Sequence, residues 1–191
     1  MPLGPDVNAR CTRSARAVGE TVSPPRAAVR PDLDGRVTSE HEWAAAGHFR
    51  VGAVTTMGRA GHGLRGVRFG SGGERLHLLL ETSGPAAVLL ARAELAVQFA
   101  GAAPLRYRVL NGDGGARLVR EERDGGGWMR AESQAAVAAG EVVELSIPLR
   151  ELDPRPGIPL LFQVTLLEGG VELERHPEAA PVAVTLEEVH R

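Results

Sequence analysis

Apolar and polar residues alternate with a period of two along most of this chain from residue 48 onward. The runs Ala93–Phe99 and Leu105–Val109 place apolar side chains at every second position. Because successive side chains of a β-strand point to opposite faces of a sheet, these runs predict strands with one buried face. The same alternation recurs at residues 49–53, 67–69, 76–80, 143–147, 160–166, 171–173 and 182–186.

Glycine-rich turn signals separate the predicted strands. They include Gly70–Gly73, Asn111–Gly115, Asp124–Gly127 and the pair Gly169-Gly170. Short strands that follow such turns are typical of hairpins, and no helical pattern of the length of a β-α-β crossover lies between them. The sequence therefore predicts an all-β fold: an antiparallel, two-sheet β-sandwich of jelly-roll-like type.

Residues 32–47 combine several local signals at the start of this β region. Asp34-Gly35 is typical of a tight turn, and Ser39 followed by Glu42 forms a capping-box pattern. Gly47 stands where the residue after a helix often lies. This segment predicts one short helix that begins near residue 40.

The region before it has a different composition. Residues 1–31 hold five of the 13 prolines, which disfavour long helices and inner strands. We therefore expect an irregular N-terminal leader over residues 1–31 and a β-sandwich domain over residues 32–188. A remnant of a preceding helical domain is the alternative interpretation of the leader.

Composition and motifs exclude several classes of protein. The net charge of −2 gives no general field for nucleic acid, and no run of about 20 apolar residues predicts a membrane span. The single Cys11 excludes an internal disulfide framework and a thiolate zinc site. Catalytic signatures such as GxSxG and HExxH do not occur, and the six histidines never recur at the i, i+4 spacing of a helical metal site. These features predict a cytoplasmic protein that needs no metal or cofactor, and they single out no catalytic group.

The few aromatic residues are the best candidates for a ligand site. Sugars stack their C–H faces on exposed rings while neighbouring polar groups bind the hydroxyls. Trp128 shares a strand face with Arg130, and the alternation slightly favours a buried Trp128 over an outward one. Tyr107 alternates with core-like leucine and valine, so we expect it to be buried with its hydroxyl bonded. Trp43, in the short helix, is expected to close one end of the sandwich.

Four apolar residues stand at positions that the alternation assigns to the outside of the sheets: Leu79, Val142, Leu161 and Leu167. An apolar outer face is unusual for a fully solvated sheet. These positions predict a surface that another protein covers.

Two motifs resemble those of a known family. The string Leu33–Gly47 resembles the opening of the C-terminal β domain of family-57 glycoside hydrolases, which is glucodextranase-like and related to DOMON domains and family-9 carbohydrate-binding modules. Gly140–Pro148, then Phe162-Gln-Val and Gly170–Pro177, resemble its later part, where the family often has tryptophan in place of His176. The resemblance covers residues 32–186.

The resemblance implies a non-catalytic accessory module that binds α-glucan or another oligosaccharide, since the family's catalytic carboxylates lie in an upstream barrel that this sequence lacks. Trp128, Arg130, Tyr107 and Trp43 are the candidate sugar-binding residues. Two alternatives stay open. One is an interaction domain that docks on a separately encoded family-57 catalytic subunit. The other is a DOMON-type haem module with Met57 or Met129 and a histidine as axial ligands.

Overall fold

A computed structural model of the chain describes residues 21–39, 41–52, 63–101 and 103–186. In chain order, the strands and the one α-helix of these residues are β1 (Thr21–Ser23), β2 (Gly47–Arg50), β3 (Leu64–Gly72), β4 (Arg75–Thr82), α1 (Ala86–Leu90), β5 (Glu94–Ala100), β6 (Leu105–Gly112), β7 (Gly115–Asp124), β8 (Gly127–Ala131), β9 (Ala136–Ala139), β10 (Val143–Pro148), β11 (Leu160–Glu168), β12 (Val171–His176) and β13 (Val182–Val184). A 3₁₀ turn, Leu149–Glu151, follows β10.

The strands form two antiparallel sheets. Sheet A has the order β1-β2-β3-β4-β10-β9, and sheet B has the order β12-β11-β5-β6-β7-β8. Strand β13 pairs with the part of β11 that β12 leaves free. Most neighbours in space are also neighbours in sequence, as the glycine-rich turns predict. The all-β, two-sheet antiparallel sandwich predicted from the alternation is confirmed.

The core lies between the two sheets and consists of the inward-facing residues of the alternating runs. Leu76, Leu78 and Leu80 of β4 are fully buried against the corresponding residues of sheet B. Aromatic rings join the sheets across this core, since Phe69 and Phe162 meet edge to face with centroids 5.7 Å apart. Burial of such large apolar side chains stabilises the sandwich by about 1.5–3 kcal/mol per residue.

The short helix lies elsewhere in the chain than predicted. Among the described residues from 39 to 46, Glu42, Ala44 and Ala46 each donate a backbone hydrogen bond to the residue three positions earlier, so the segment is a series of turns. Gly47 begins β2 instead of following a helix. An isolated helix this short is marginal, and contacts with sheet A decide the local conformation. The only α-helix of the described residues is α1, between β4 and β5.

Residues 25–39 and 41–46, here called the N-terminal cover, lie across the outer face of sheet A. Val29 and Trp43 form a small buried cluster with Leu79, and Val142 packs beside it. Trp43 is 2% exposed. Trp43 therefore covers a sheet face, which corrects the expectation that it closes an end of the sandwich. Leu79 and Val142, predicted to face a partner protein, are covered by the chain itself.

Glycines allow the backbone of the N-terminal cover to approach sheet A closely. A Cβ atom on Gly72 of β3 would lie 2.0 Å from the carbonyl oxygen of Val29. Gly35 has a φ of 78°, and a Cβ atom there would lie 2.7 Å from the backbone nitrogen of Gly140. Both positions therefore require glycine. The Asp34-Gly35 turn predicted from the sequence is present and docks against the residues that precede β10.

Candidate functional site

Trp128 lies on the outer face of sheet B. It stands opposite Arg123 in the register of β7 with β8, and its side chain is half-buried. The guanidinium carbon of Arg106, on β6, lies 4.3 Å from the centroid of the Trp128 ring. This distance is that of a cation–π contact, which stabilises by about 0.5–2 kcal/mol. The favoured expectation of a core Trp128 is thus corrected.

The opposite side of β8 is not core either. Met129 points to that side and is 60% exposed. Strand β8 is the last strand of sheet B. The alternation of β8 therefore could not reveal which face of the strand is buried, because neither face is.

An ion-pair ladder supports the ring of Trp128. Arg106 donates to Glu121 over 2.6 Å, Arg108 donates to the other oxygen of Glu121 over 3.1 Å, and Arg108 also binds Glu94. Burial alone would raise the pKa of Glu121, but the two guanidinium groups hold it below its ordinary value. Glu121 therefore stays ionised and fixes Arg106 beneath the ring.

Arg130, the second predicted site residue, lies on the same face as Trp128. It stands opposite Glu121 in the register of β7 with β8, and it is exposed. The structure therefore brings Trp128 and Arg130 together on one surface. We call Trp128, Arg123, Arg130 and Arg106 the Trp128 surface.

Tyr107 is fully buried in the core, as predicted, and its hydroxyl is bonded. It donates to Glu151 over 2.8 Å, and Ser133 and the backbone N–H of Gln134 bind the same carboxylate. Burial raises the pKa of Tyr107 above its ordinary value, and the Glu151 carboxylate raises it further by a smaller amount. A buried ring offers no face to a ligand, so Tyr107 supports the core beneath the Trp128 surface.

Trp43 is also removed from the Trp128 surface, because it belongs to the N-terminal cover and packs on the outer face of the other sheet. Its indole N–H donates to Glu144 over 3.3 Å. Glu144, in β10, is fully buried and also accepts the backbone N–H groups of Asp34 and Gly35, over 3.0 and 2.9 Å. Burial raises the pKa of Glu144, and the three donors oppose this shift.

Glu121 and Glu144 were missed by sequence reasoning, which assigned the acidic residues to a solvated surface. Both are almost completely buried. For Glu144 there is a weak indication of burial. It stands between Val143 and Leu145 in a short strand whose other residues are all buried. A carboxylate in such a strand needs donors on its outer side, and here the N-terminal cover provides them.

The two ends of the sandwich hold open clefts. The larger one, of about 640 Å³, lies between α1 and β12. Its Glu174 accepts the backbone N–H groups of Gly63 and Leu64, over 2.6 and 3.3 Å, and thereby ties β12 to the start of β3. Nowhere in the described part of the chain do three or more His, Cys, Asp or Glu side chains form a group that could hold a metal ion.

Of the two methionines named as axial ligands for the haem alternative, only Met129 lies among the described residues. Met57 lies outside the described residues, and Met129 is 60% exposed on β8, the last strand of sheet B. Helices that could cross a membrane are absent from the described segments.

Comparison with known proteins identifies no relative: no family model, no curated protein and no solved structure matches this chain. The fold and the Trp128 surface therefore define the chain as a β-sandwich with one aromatic, arginine-rich sheet face. What it binds has to be argued from that surface.

Proposed function

We propose that this chain is a non-catalytic β-sandwich module that binds carbohydrate weakly through the Trp128 surface. The observation that carries the proposal is an outward, partly exposed tryptophan on a sheet face, with polar side chains around it. A sugar ring can stack on such an indole while its hydroxyls bind the polar neighbours. The sequence resemblance to the accessory domain of family-57 glycoside hydrolases makes α-glucan the first ligand class to test.

The support beneath the ring favours binding. Arg106 contacts Trp128 and is itself bonded to Glu121, so the indole is held in place before a ligand arrives. A ring that is already ordered loses little conformational entropy on binding. A single stacking ring on an open surface, without an enclosing pocket, is consistent with weak affinity.

Trp128→Ala is expected to weaken binding of maltooligosaccharides about twofold to tenfold, because stacking on an aromatic ring contributes about 0.5–1.5 kcal/mol. Isothermal titration calorimetry and intrinsic fluorescence at millimolar sugar would measure this. The chain has only two tryptophans, Trp43 and Trp128. The matched control is therefore Trp43→Phe, which should keep both the affinity and the fluorescence shift. Wild-type affinity in Trp128→Ala, or no binding of any sugar by the wild type, contradicts the proposal.

A second candidate function is docking on a catalytic partner, such as a separately encoded family-57 subunit. It is favoured by apolar residues of β11 and β12 that the described part of the chain leaves partly or largely exposed. Leu167 is partly buried, while Val171 and Leu173 of the edge strand β12 are 65% and 52% exposed. Exposed apolar residues beside an unpaired strand edge are typical of a surface that pairs with another chain.

If docking occurs there, Leu173→Glu should abolish co-elution with such a subunit in size-exclusion chromatography. Val88→Glu, at another exposed apolar position, on α1, should leave it intact. Equal loss in both variants, or co-elution that survives Leu173→Glu, would reject this surface.

A further inference from the structure

We infer that the Trp128 surface recognises an acidic saccharide, one that carries carboxylate, sulfate or phosphate groups, in preference to a neutral one. The inference rests on the carbohydrate-binding function proposed above and names the ligand class of the same site. Two exposed arginines are neighbours of Trp128 in the sheet: Arg123 stands directly opposite it on β7, and Arg130 lies two residues further along β8.

No other described residue binds the side chain of either arginine. Within residues 21–39, 41–52, 63–101 and 103–186, the side chains of Arg123 and Arg130 form no ion pair and no hydrogen bond. Both residues are exposed. Their five N–H donors each are therefore available to a ligand.

The carboxylate opposite Arg130 in the sheet, that of Glu121, is already bonded to other arginines. One oxygen of Glu121 accepts from Arg106, and the other accepts from Arg108. Glu94 is likewise bound to Arg108. The two carboxylates of the ladder thus balance Arg106 and Arg108, and Arg123 and Arg130 lie outside that charge balance.

A guanidinium group binds carboxylate, sulfate and phosphate in a planar, two-pronged geometry, which makes arginine suited to anionic groups beside a stacked ring. Arg130 lies two residues from Trp128, or roughly 7 Å along the strand, and Arg123 lies one strand spacing away. Both side chains are long enough to reach a ligand that stacks on the indole.

Single-stranded nucleic acid is the other anionic polymer that could approach such a face. Its binding sites combine several stacking rings with a continuous positive groove. The Trp128 surface has one ring, and the whole chain has a net charge of −2. The local geometry therefore favours an acidic saccharide, and nucleic acid becomes a comparison ligand in the test.

The test compares maltohexaose with sulfated maltohexaose, which share a sugar backbone and differ in charge, and adds oligogalacturonate as a carboxylate ligand. At low salt the anionic ligands should bind the full chain about tenfold more tightly than maltohexaose. This preference should decline toward 1 M salt, where the Debye length falls to about 3 Å. Arg123→Ala and Arg130→Ala should each weaken anionic binding about twofold to fivefold, and the double variant should bind both maltohexaoses equally.

Arg117→Ala is the matched control. Arg117 is exposed on the same face of β7, six residues or roughly 20 Å from Arg123, and should not affect binding. Equal affinity for neutral and anionic ligands would overturn the inference and leave the carbohydrate-binding proposal standing. Equal losses in the Arg117 and Arg123 variants, or tighter binding of oligothymidylate than of any saccharide, would also overturn it. Failure of every sugar to bind would reject both proposals.

Discussion

Trp43→Ala is expected to lower the free energy of unfolding by about 3–5 kcal/mol, the usual cost of removing a buried aromatic side chain. Trp43 is 2% exposed and packs on Leu79 and Val29. Its loss leaves a cavity under the N-terminal cover and frees one oxygen of Glu144 from its donor. Urea unfolding, followed by far-ultraviolet circular dichroism, would measure the change without relying on tryptophan fluorescence.

Two further variants separate packing from hydrogen bonding. Trp43→Phe keeps a ring on Leu79 but loses the N–H donor, so it should cost less than Trp43→Ala. Val88→Ala, at an exposed position on α1, should stay within about 0.5 kcal/mol of the wild type. An unchanged unfolding midpoint in Trp43→Ala would mean that the N-terminal cover adds nothing to the stability of the sandwich.

Glu144→Ala is expected to cost about 3 kcal/mol, because it leaves two buried donors and one part-buried donor without an acceptor, and each buried one costs about 1–3 kcal/mol. The donors are the backbone N–H groups of Asp34 and Gly35 and the indole N–H of Trp43. Glu144→Gln should cost less. Its amide oxygen can still accept from Asp34 and Gly35, whereas its NH₂ group faces the Trp43 donor.

A double-mutant cycle tests this arrangement directly. Trp43→Phe should cost less in the Glu144→Gln background than in the wild type, because the bond it removes is already lost. Glu141→Ala is the matched control, since Glu141 is exposed and lies three residues earlier in the chain. Strictly additive effects of the two substitutions would contradict the bond between Trp43 and Glu144, and equal costs for Ala and Gln at position 144 would contradict the role of Asp34 and Gly35.

The two sheet faces show where sequence reasoning succeeds. The alternating residues of β4 and β10 predicted their inner faces correctly, because the core between the sheets is thick and continuous there. Leu79 and Glu144 lie on the outer faces of the same strands, where the alternation predicts solvent. Their burial depends on the N-terminal cover, which comes from a segment 30 to 110 residues distant in sequence.

Trp128 illustrates a different limit. Its strand, β8, ends sheet B, and Met129 is exposed on one side while Trp128 is half-buried on the other. Hydrophobic alternation reports burial only where one face of a strand is covered. The orientation of Trp128 is decided by its register with Arg123 and by its contact with Arg106, which is two strands away.

The sequence by itself determined the fold class, the turns that separate the strands and the burial of Tyr107, because alternation and turn chemistry are local consequences of a covered sheet. Only the tertiary structure decided which outer face stays open. It placed Trp43 over Glu144 on sheet A, where the backbone donors of a distant turn satisfy a buried carboxylate. It also placed Trp128, Arg123 and Arg130 together on the outer face of sheet B through the register of β7 with β8. The neighbouring carboxylate, that of Glu121, is bound to Arg106 and Arg108 instead.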